Sequence, residues 1–152
     1  MQCLTANGLL VARLQVNVAG RGNAKNAQGD HDGAFADCNE ALKIEPKNSQ
    51  ALAFRGQAKN ALGDHAGAVA DYTEALKIEP ENFQALARRG HAKKALGDHD
   101  GAVADCTEAL KTAPKYYAAL ELRDEAKKTP EKGFWRRRLR IGKAVADGRT
   151  AP

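Results

Sequence analysis

The sequence predicts an all-α protein built as an array of antiparallel helical hairpins, and three observations carry that prediction. First, the stretch Ser49 to Asn82 recurs. Shifted so that Ser49 falls on Phe83, Ala51–Pro80 overlies Ala85–Pro114 with seven differences in 30 positions, and the same step backward aligns Gln15–Asn48 without a gap. A fixed period of about 34 residues marks one supersecondary unit repeated. Second, the later half of the unit places Ala68, Val69, Tyr72, Ala75 and Leu76 at spacings of one, three, three and one, a single helical stripe. Third, the punctuation fits two helices: Gly63 suits a left-handed helix end, Asp64 an N-cap, Pro80 a stop, and Asn82 the next cap. Helices joined by so short a turn lie antiparallel.

With Gly56, Ala68 and Ala75 as its small residues, Tyr72 as the aromatic of the second helix and Pro80 as the closing proline, the unit resembles a tetratricopeptide repeat. The resemblance covers residues 15–116 as three copies in phase: 15–48, 49–82 and 83–116. It implies a right-handed solenoid of three antiparallel helix pairs with a capping helix, whose first helices line a concave groove. Gly56 and Ala68 are expected to let the two helices of a hairpin approach, and Ala75 to admit the next repeat. The copy also departs from the family. Arg21, Arg55 and Arg89 stand where the pattern has leucine, and Lys25, Lys59 and Lys93 where it has tyrosine. Four residues apart, each pair shares a helix face. One reading is a basic ladder for an anionic partner. The favoured one is that the stems cover the seam between repeats while the heads reach Asp37, Asp71 and Asp105 or solvent.

Taken in order, residues 1–14 are weakly apolar and read as a lead-in, or as an extension of the first helix from about Leu9, with neither the charge nor the apolar length of a signal peptide. Repeat one is the least regular: Gly20 sits inside its first helix and Gln28 replaces the leucine of Leu62 and Leu96, as a terminal repeat with one wet face allows. Residues 117–128 read as a first helix without its mate. Ala119, Leu120, Arg123, Ala126 and Lys127 keep register with Ala85, Leu86, Arg89, Ala92 and Lys93, but Asp124 replaces the crossing glycine, as in a cap. Glu121, Asp124, Glu125 and Lys128 form its expected wet face.

Residues 129–152 read as a basic tail, expected to start a helix at Thr129-Pro130-Glu131 and to be disordered from Asp147. As a helix it places Trp135, Leu139, Gly142 and Ala146 on one side, with Arg136, Arg137, Arg138, Arg140 and Lys143 spread over the remainder. Such a segment either packs Phe134 and Trp135 on the capping helix, the favoured reading, or serves an acidic membrane, a calmodulin-like groove or nucleic acid.

The net charge of +5 belongs to that tail. Residues 1–128 carry 17 basic and 17 acidic side chains, the tail seven and two. With 43% hydrophobic but 5% aromatic residues, the core is expected to be Ala, Leu and Val. Cys38 and Cys106 occupy the Tyr72 position two repeats apart, beyond the ~7 Å reach of a disulfide, and Cys3 has no assigned role. Sparse, unpaired cysteines fit a reduced, cytoplasmic protein, and the basic tail leaves the nucleus open. No apolar run approaches the ~20 residues of a membrane span.

Catalytic chemistry finds no support. His31, His65 and His99 recur at the repeat period, so each begins a different second helix and they do not converge on a metal. Gly20-Arg21-Gly22 lacks a third glycine, Asp30-His31-Asp32-Gly33 lacks the calcium-loop spacing, and no cofactor is expected. By the resemblance, the groove-facing set is Asn23, Asn26, Ala53, Phe54, Gln57, Asn60, Arg88, His91 and Lys94, with amides able to pair with a peptide backbone and cations biasing one end toward acids. The implied function is a non-enzymatic scaffold or adaptor holding a peptide or partner segment. The alternatives are a nucleic-acid or acidic-membrane binder acting through the tail, and a co-chaperone with an incomplete carboxylate clamp. Of the five clamp positions that hold chaperone C-termini in the family, Asn23 and Arg88 match, whereas Ala19, Phe54 and Gln84 replace lysine, asparagine and lysine.

Overall fold

The structure, a computed structural model, describes residues 18–128. Seven helices follow one another within that span: α1 (18–27), α2 (His31–Ile44), α3 (Ser49–Ala61), α4 (His65–Ile78), α5 (Phe83–Ala95), α6 (His99–Thr112) and α7 (Tyr117–Lys128). No strand occurs among the described residues. From α3 onward each helix packs on the one before it, and α5 also touches both α3 and α7, so alternate helices lie side by side. The lead-in, the first residues of repeat one and the basic tail with Trp135, Arg136, Arg137, Arg138, Arg140 and Lys143 lie outside the described residues. None of the helices described is long and apolar enough to cross a membrane.

Local chemistry sets the helix ends. Asp30, Asp64 and Asp98 accept the backbone N–H groups of Gly33, Gly67 and Gly101 at 2.9, 2.8 and 3.0 Å, capping the second helices. Asn48 and Asn82 accept those of Ala51 and Ala85 at 2.9 and 3.0 Å, capping α3 and α5. Within each hairpin the turn passes through Gly29, Gly63 or Gly97 at φ of 83, 88 and 82°, a left-handed conformation that a Cβ disfavours. The second helices stop one residue before Glu45, Glu79 and Ala113, whose φ of −132, −125 and −129° is the extended geometry imposed by the following proline.

The core is finer-grained than expected. Ala, Leu, Cys and Tyr72 fill it, and no valine is fully buried among the described residues. The buried stripe of α4 is Ala68, Asp71, Tyr72, Ala75 and Leu76: Val69 is only half-buried, and an aspartate takes a place in the stripe because its charge is met from α3. Ala75 joins Ala51 and Leu52 of its own hairpin, while Tyr72 and Leu76 share a cluster with Ala85 and Leu86 of the next. Crossings are tight. A Cβ added at Gly56 would stand 3.1 Å from the Tyr72 ring, and one at Gly22 2.8 Å from the Cys38 sulfur. Cys38 and Cys106 are free buried thiols, pushed up to about 11 by burial. On α7, Leu122 is buried and Leu120 half-buried, because α7 turns its position-122 face onto α5 and α6.

Candidate functional site

The basic ladder is structural. Arg55 donates through Nε and one terminal nitrogen to both oxygens of Asp71 at 2.8 and 2.6 Å, through its other terminal nitrogen to Asn39 Oδ1 at 2.9 Å, and Lys59 adds a third cation–carboxylate contact at 3.0 Å. One guanidinium thus ties α2, α3 and α4. Arg89 and Lys93 repeat the arrangement on Asp105, with Thr73 at 3.3 Å in place of Asn39, and Arg21 and Lys25 do so on Asp37. The side-chain exposure of the arginine falls from 55% to 22% to 18% along the series, since only the inner copies have a preceding hairpin to cover them. Arg21 donating to Asp37 holds that carboxyl down to about 2, against the cost of its burial. Asp71 raises the Arg55 guanidinium by its hydrogen bonds, and burial raises the Tyr72 phenol.

A second set of contacts runs between the first helices. Arg88 of α5 donates to the Gln57 amide oxygen of α3, and Lys94 of α5 pairs with Glu125 of α7, a hydrogen bond that lowers the Glu125 carboxyl. Those two contacts run across successive first helices and so define one continuous surface. Phe54, Asn60, Arg88 and Lys94 are half-buried, and Asn23 and His91 are exposed. Asn26 differs from its expected role. It is 4% exposed, its amide nitrogen donates to the Phe54 carbonyl at 2.9 Å, and its oxygen faces His31 Nδ1 at 3.1 Å. Both ends of its amide are therefore satisfied inside the array.

The sequence reading assigns the histidines to separate helices but misses their actual partners. Asn60 faces His65 Nδ1 at 2.7 Å just as Asn26 faces His31, closing each hairpin turn. The signal was present in the five-residue separation recurring at the repeat period. In the third copy Lys94 replaces the asparagine, and His99 Nδ1 is buried without a partner. Among the described residues no group of His, Cys, Asp or Glu could hold a metal ion. At the clamp positions, Ala19 is buried, Phe54 offers a ring, and Gln84 is exposed.

This geometry is that of an α-helical repeat array, hairpins stacked so that first helices adjoin first helices. The TPR repeat model matches residues 56–97 and the tetratricopeptide repeat model residues 83–116. Residues 56–116 are thus tetratricopeptide repeats. Among solved structures the chain is similar to the Arabidopsis OM64 TPR domain, at 26% identity and a TM-score of 0.74, over 78% of this chain and 98% of that one. It is similar also to the second TPR domain of the human RPAP3 protein in complex with HSP70 peptide SGPTIEEVD, at 24% identity and TM-score 0.71 over 77% and 98% of the two chains. A third is the first TPR of Spaghetti (RPAP3) bound to HSP90 peptide SRMEEVD, at 24% identity and TM-score 0.72 over 75% and 90%. No curated protein sequence matches.

Proposed function

We propose that this protein is a non-enzymatic interaction module that holds an extended peptide or partner segment along the adjoining first helices. The observation that carries the reading is the pair of contacts Gln57–Arg88 and Lys94–Glu125, which link three first helices into one surface with side-chain amides and cations along it. The bound peptides of the two RPAP3 structures support the class of activity. They do not carry over as ligands, because Ala19, Phe54 and Gln84 leave the clamp without either lysine. A peptide ending in Glu-Glu-Val-Asp is therefore expected to show no micromolar binding by calorimetry. Peptides selected on the full chain from a display library should lose affinity roughly tenfold with Arg88→Ala, the scale of a lost charge-assisted hydrogen bond. Selected peptides indifferent to Arg88→Ala and His91→Ala would refute the groove reading. Binding that ignores sequence and falls steeply with salt would point instead to the basic tail.

A further inference from the structure

The edge of the array made by the loops between hairpins changes chemistry along its length. At the first loop Asn48 caps α3, and the buried Ser49 hydroxyl donates to Glu79. At the second, Asn82 still caps α5, but Phe83 stands at the Ser49 position. At the third, Tyr116 and Tyr117 occupy the Asn and Ser positions. Tyr116 meets the α7 amides only through its backbone carbonyl, which accepts from Ala119 at 3.0 Å and Leu120 at 3.2 Å. Its ring packs edge-on against Phe83 instead, centroids 5.2 Å apart at 73°. A side-chain cap and an aromatic pair are worth similar amounts to folding, so the exchange leaves stability about level while adding aromatic surface to an edge where Ile44 and Ile78 are already part-exposed. Tyr117 beside it is 72% exposed.

Two open recesses meet at Phe83. One, of about 730 Å³, is lined by Glu79, Pro80, Glu81, Asn82, Phe83 and Gln84. The other, of about 440 Å³, is lined by Phe83, Ala113, Pro114 and Tyr116, with Lys115 as its cation. The surface is thus apolar in the middle and acidic toward the α4–α5 loop.

We propose that Phe134-Trp135-Arg136-Arg137-Arg138 of the same chain docks on this edge, the two rings against Phe83, Pro114 and Tyr116 and the guanidinium groups beside the exposed Glu81. Glu79, whose oxygens already accept from Ser49 and Asn82, adds its charge. Reach and charge both select this segment. Helix α7 has 12 residues and so is about 18 Å long, with Tyr116 just before its first residue and Lys128 its last. The docking takes residues 129–133 as extended, in place of the helix start that Thr129-Pro130-Glu131 suggests. Six extended residues from Lys128 to Phe134 span at most about 20 Å, enough to return the chain along α7 to Tyr116, whereas six helical residues would cover about 9 Å. The tail holds the whole +5 net charge, and residues 1–128 balance. Lys115 on the α7 side turns the arginines toward the glutamates. The proposal is independent of the groove reading, since the loop edge is a separate surface from the first-helix face.

Trp135 is the chain's one tryptophan, so the full-length protein reports on itself. Its emission is expected to be blue-shifted and poorly quenched by acrylamide, at any protein concentration. Glu81→Lys, a change at an exposed position, should shift the emission to the red and raise quenching severalfold, and added salt should act in the same direction. Phe83→Ala should do likewise in a chain that circular dichroism shows to be folded. Solvent-like emission in the unmodified protein overturns the proposal. So does a blue emission that neither substitution moves, which would lodge Trp135 elsewhere, or one that disappears on dilution, which would make the contact one between two copies.

Discussion

Helices α5 and α7 carry nearly the same register of side chains and meet different surroundings. Each buries an alanine pair, Ala85 and Ala92 in one and Ala119 and Ala126 in the other, and each presents an arginine followed four residues on by a lysine. In α5, Arg89 and Lys93 close on Asp105 of α6. In α7, Arg123 turns to its own neighbour Asp124 at 3.2 Å, and Lys127 is exposed. Several aligned positions differ, and the one at the crossing is Gly90 against Asp124. A Cβ at Gly90 would stand 3.2 Å from the Ala102 carbonyl oxygen and 3.1 Å from the Cys106 sulfur, so α6 packs too closely there for a side chain to fit without displacing it. Asp124 puts a carboxylate at that register, where it meets Arg123.

The largest effect that can break the comparison is Gly90→Leu. It is expected to cost about 3 kcal/mol, the upper range for overpacking, whereas Asp124→Leu at the matching site of α7 should stay within about 0.5 kcal/mol. Removing the facing Cys106 side chain as Cys106→Ala leaves a small void and should cost about 1 kcal/mol. Urea unfolding of the three variants decides the matter, and equal losses at Gly90 and Asp124 would mean that the crossing glycine does not distinguish the helices.

Next in size is the carboxylate itself. Asp105→Ala strands Arg89 and Lys93, which are mostly covered, and is expected to lose about 2–3 kcal/mol, below the cost of breaking a fully buried pair. Asp124→Ala removes an exposed contact and should be close to neutral. Denaturant midpoints at unchanged slope test both, and the contrast fails if the exposed pair proves as costly as the covered one.

The smallest effect is in acid and belongs to the outermost triad. Folding lowers the Asp37 carboxyl from 3.8 to about 2, so its stabilisation is complete above 3.8 and drains away as pH falls through about 2. With Arg21 55% exposed, solvent screening limits the contribution to about 1–2 kcal/mol. Unfolding free energies of the native chain should fall more steeply between pH 4 and 2 than those of Asp37→Asn. Parallel curves would show that Asp37 is not the group responsible.

Sequence patterns read the hairpins well and the polar interior poorly, for a definite reason. Hydrophobicity selects Val69 for the α4 stripe, yet Asp71 is the more buried residue because Arg55 and Lys59 reach it from the preceding helix, α3. The choice of the aspartates as acceptors for the ladder was legible because both sides recur at the repeat period. The fate of Asn26 was not. Its donor bonds a backbone carbonyl of the next hairpin, and a carbonyl has no signature in a sequence. The replacement of an asparagine cap by Tyr116 was visible as a departure from the repeat, but its pairing with Phe83 needed the stacking of α5 beside α7.

By itself the sequence determined the hairpin, its period, the caps at Asp64 and Asn82, the turn at Gly63 and the stop before Pro80. Each of those rests on backbone sterics and hydrogen bonds within a few residues, which local spelling encodes. Only the tertiary structure decided which of the candidate groove residues stay available to a partner and where the loop edge becomes aromatic. Availability depends on what a neighbouring hairpin or the cap delivers to a side chain: a carbonyl to Asn26, a guanidinium to Gln57, a carboxylate to Lys94, a ring to Phe83. Each of those groups lies about one repeat further along the chain, and stacking alone brings it within bonding distance.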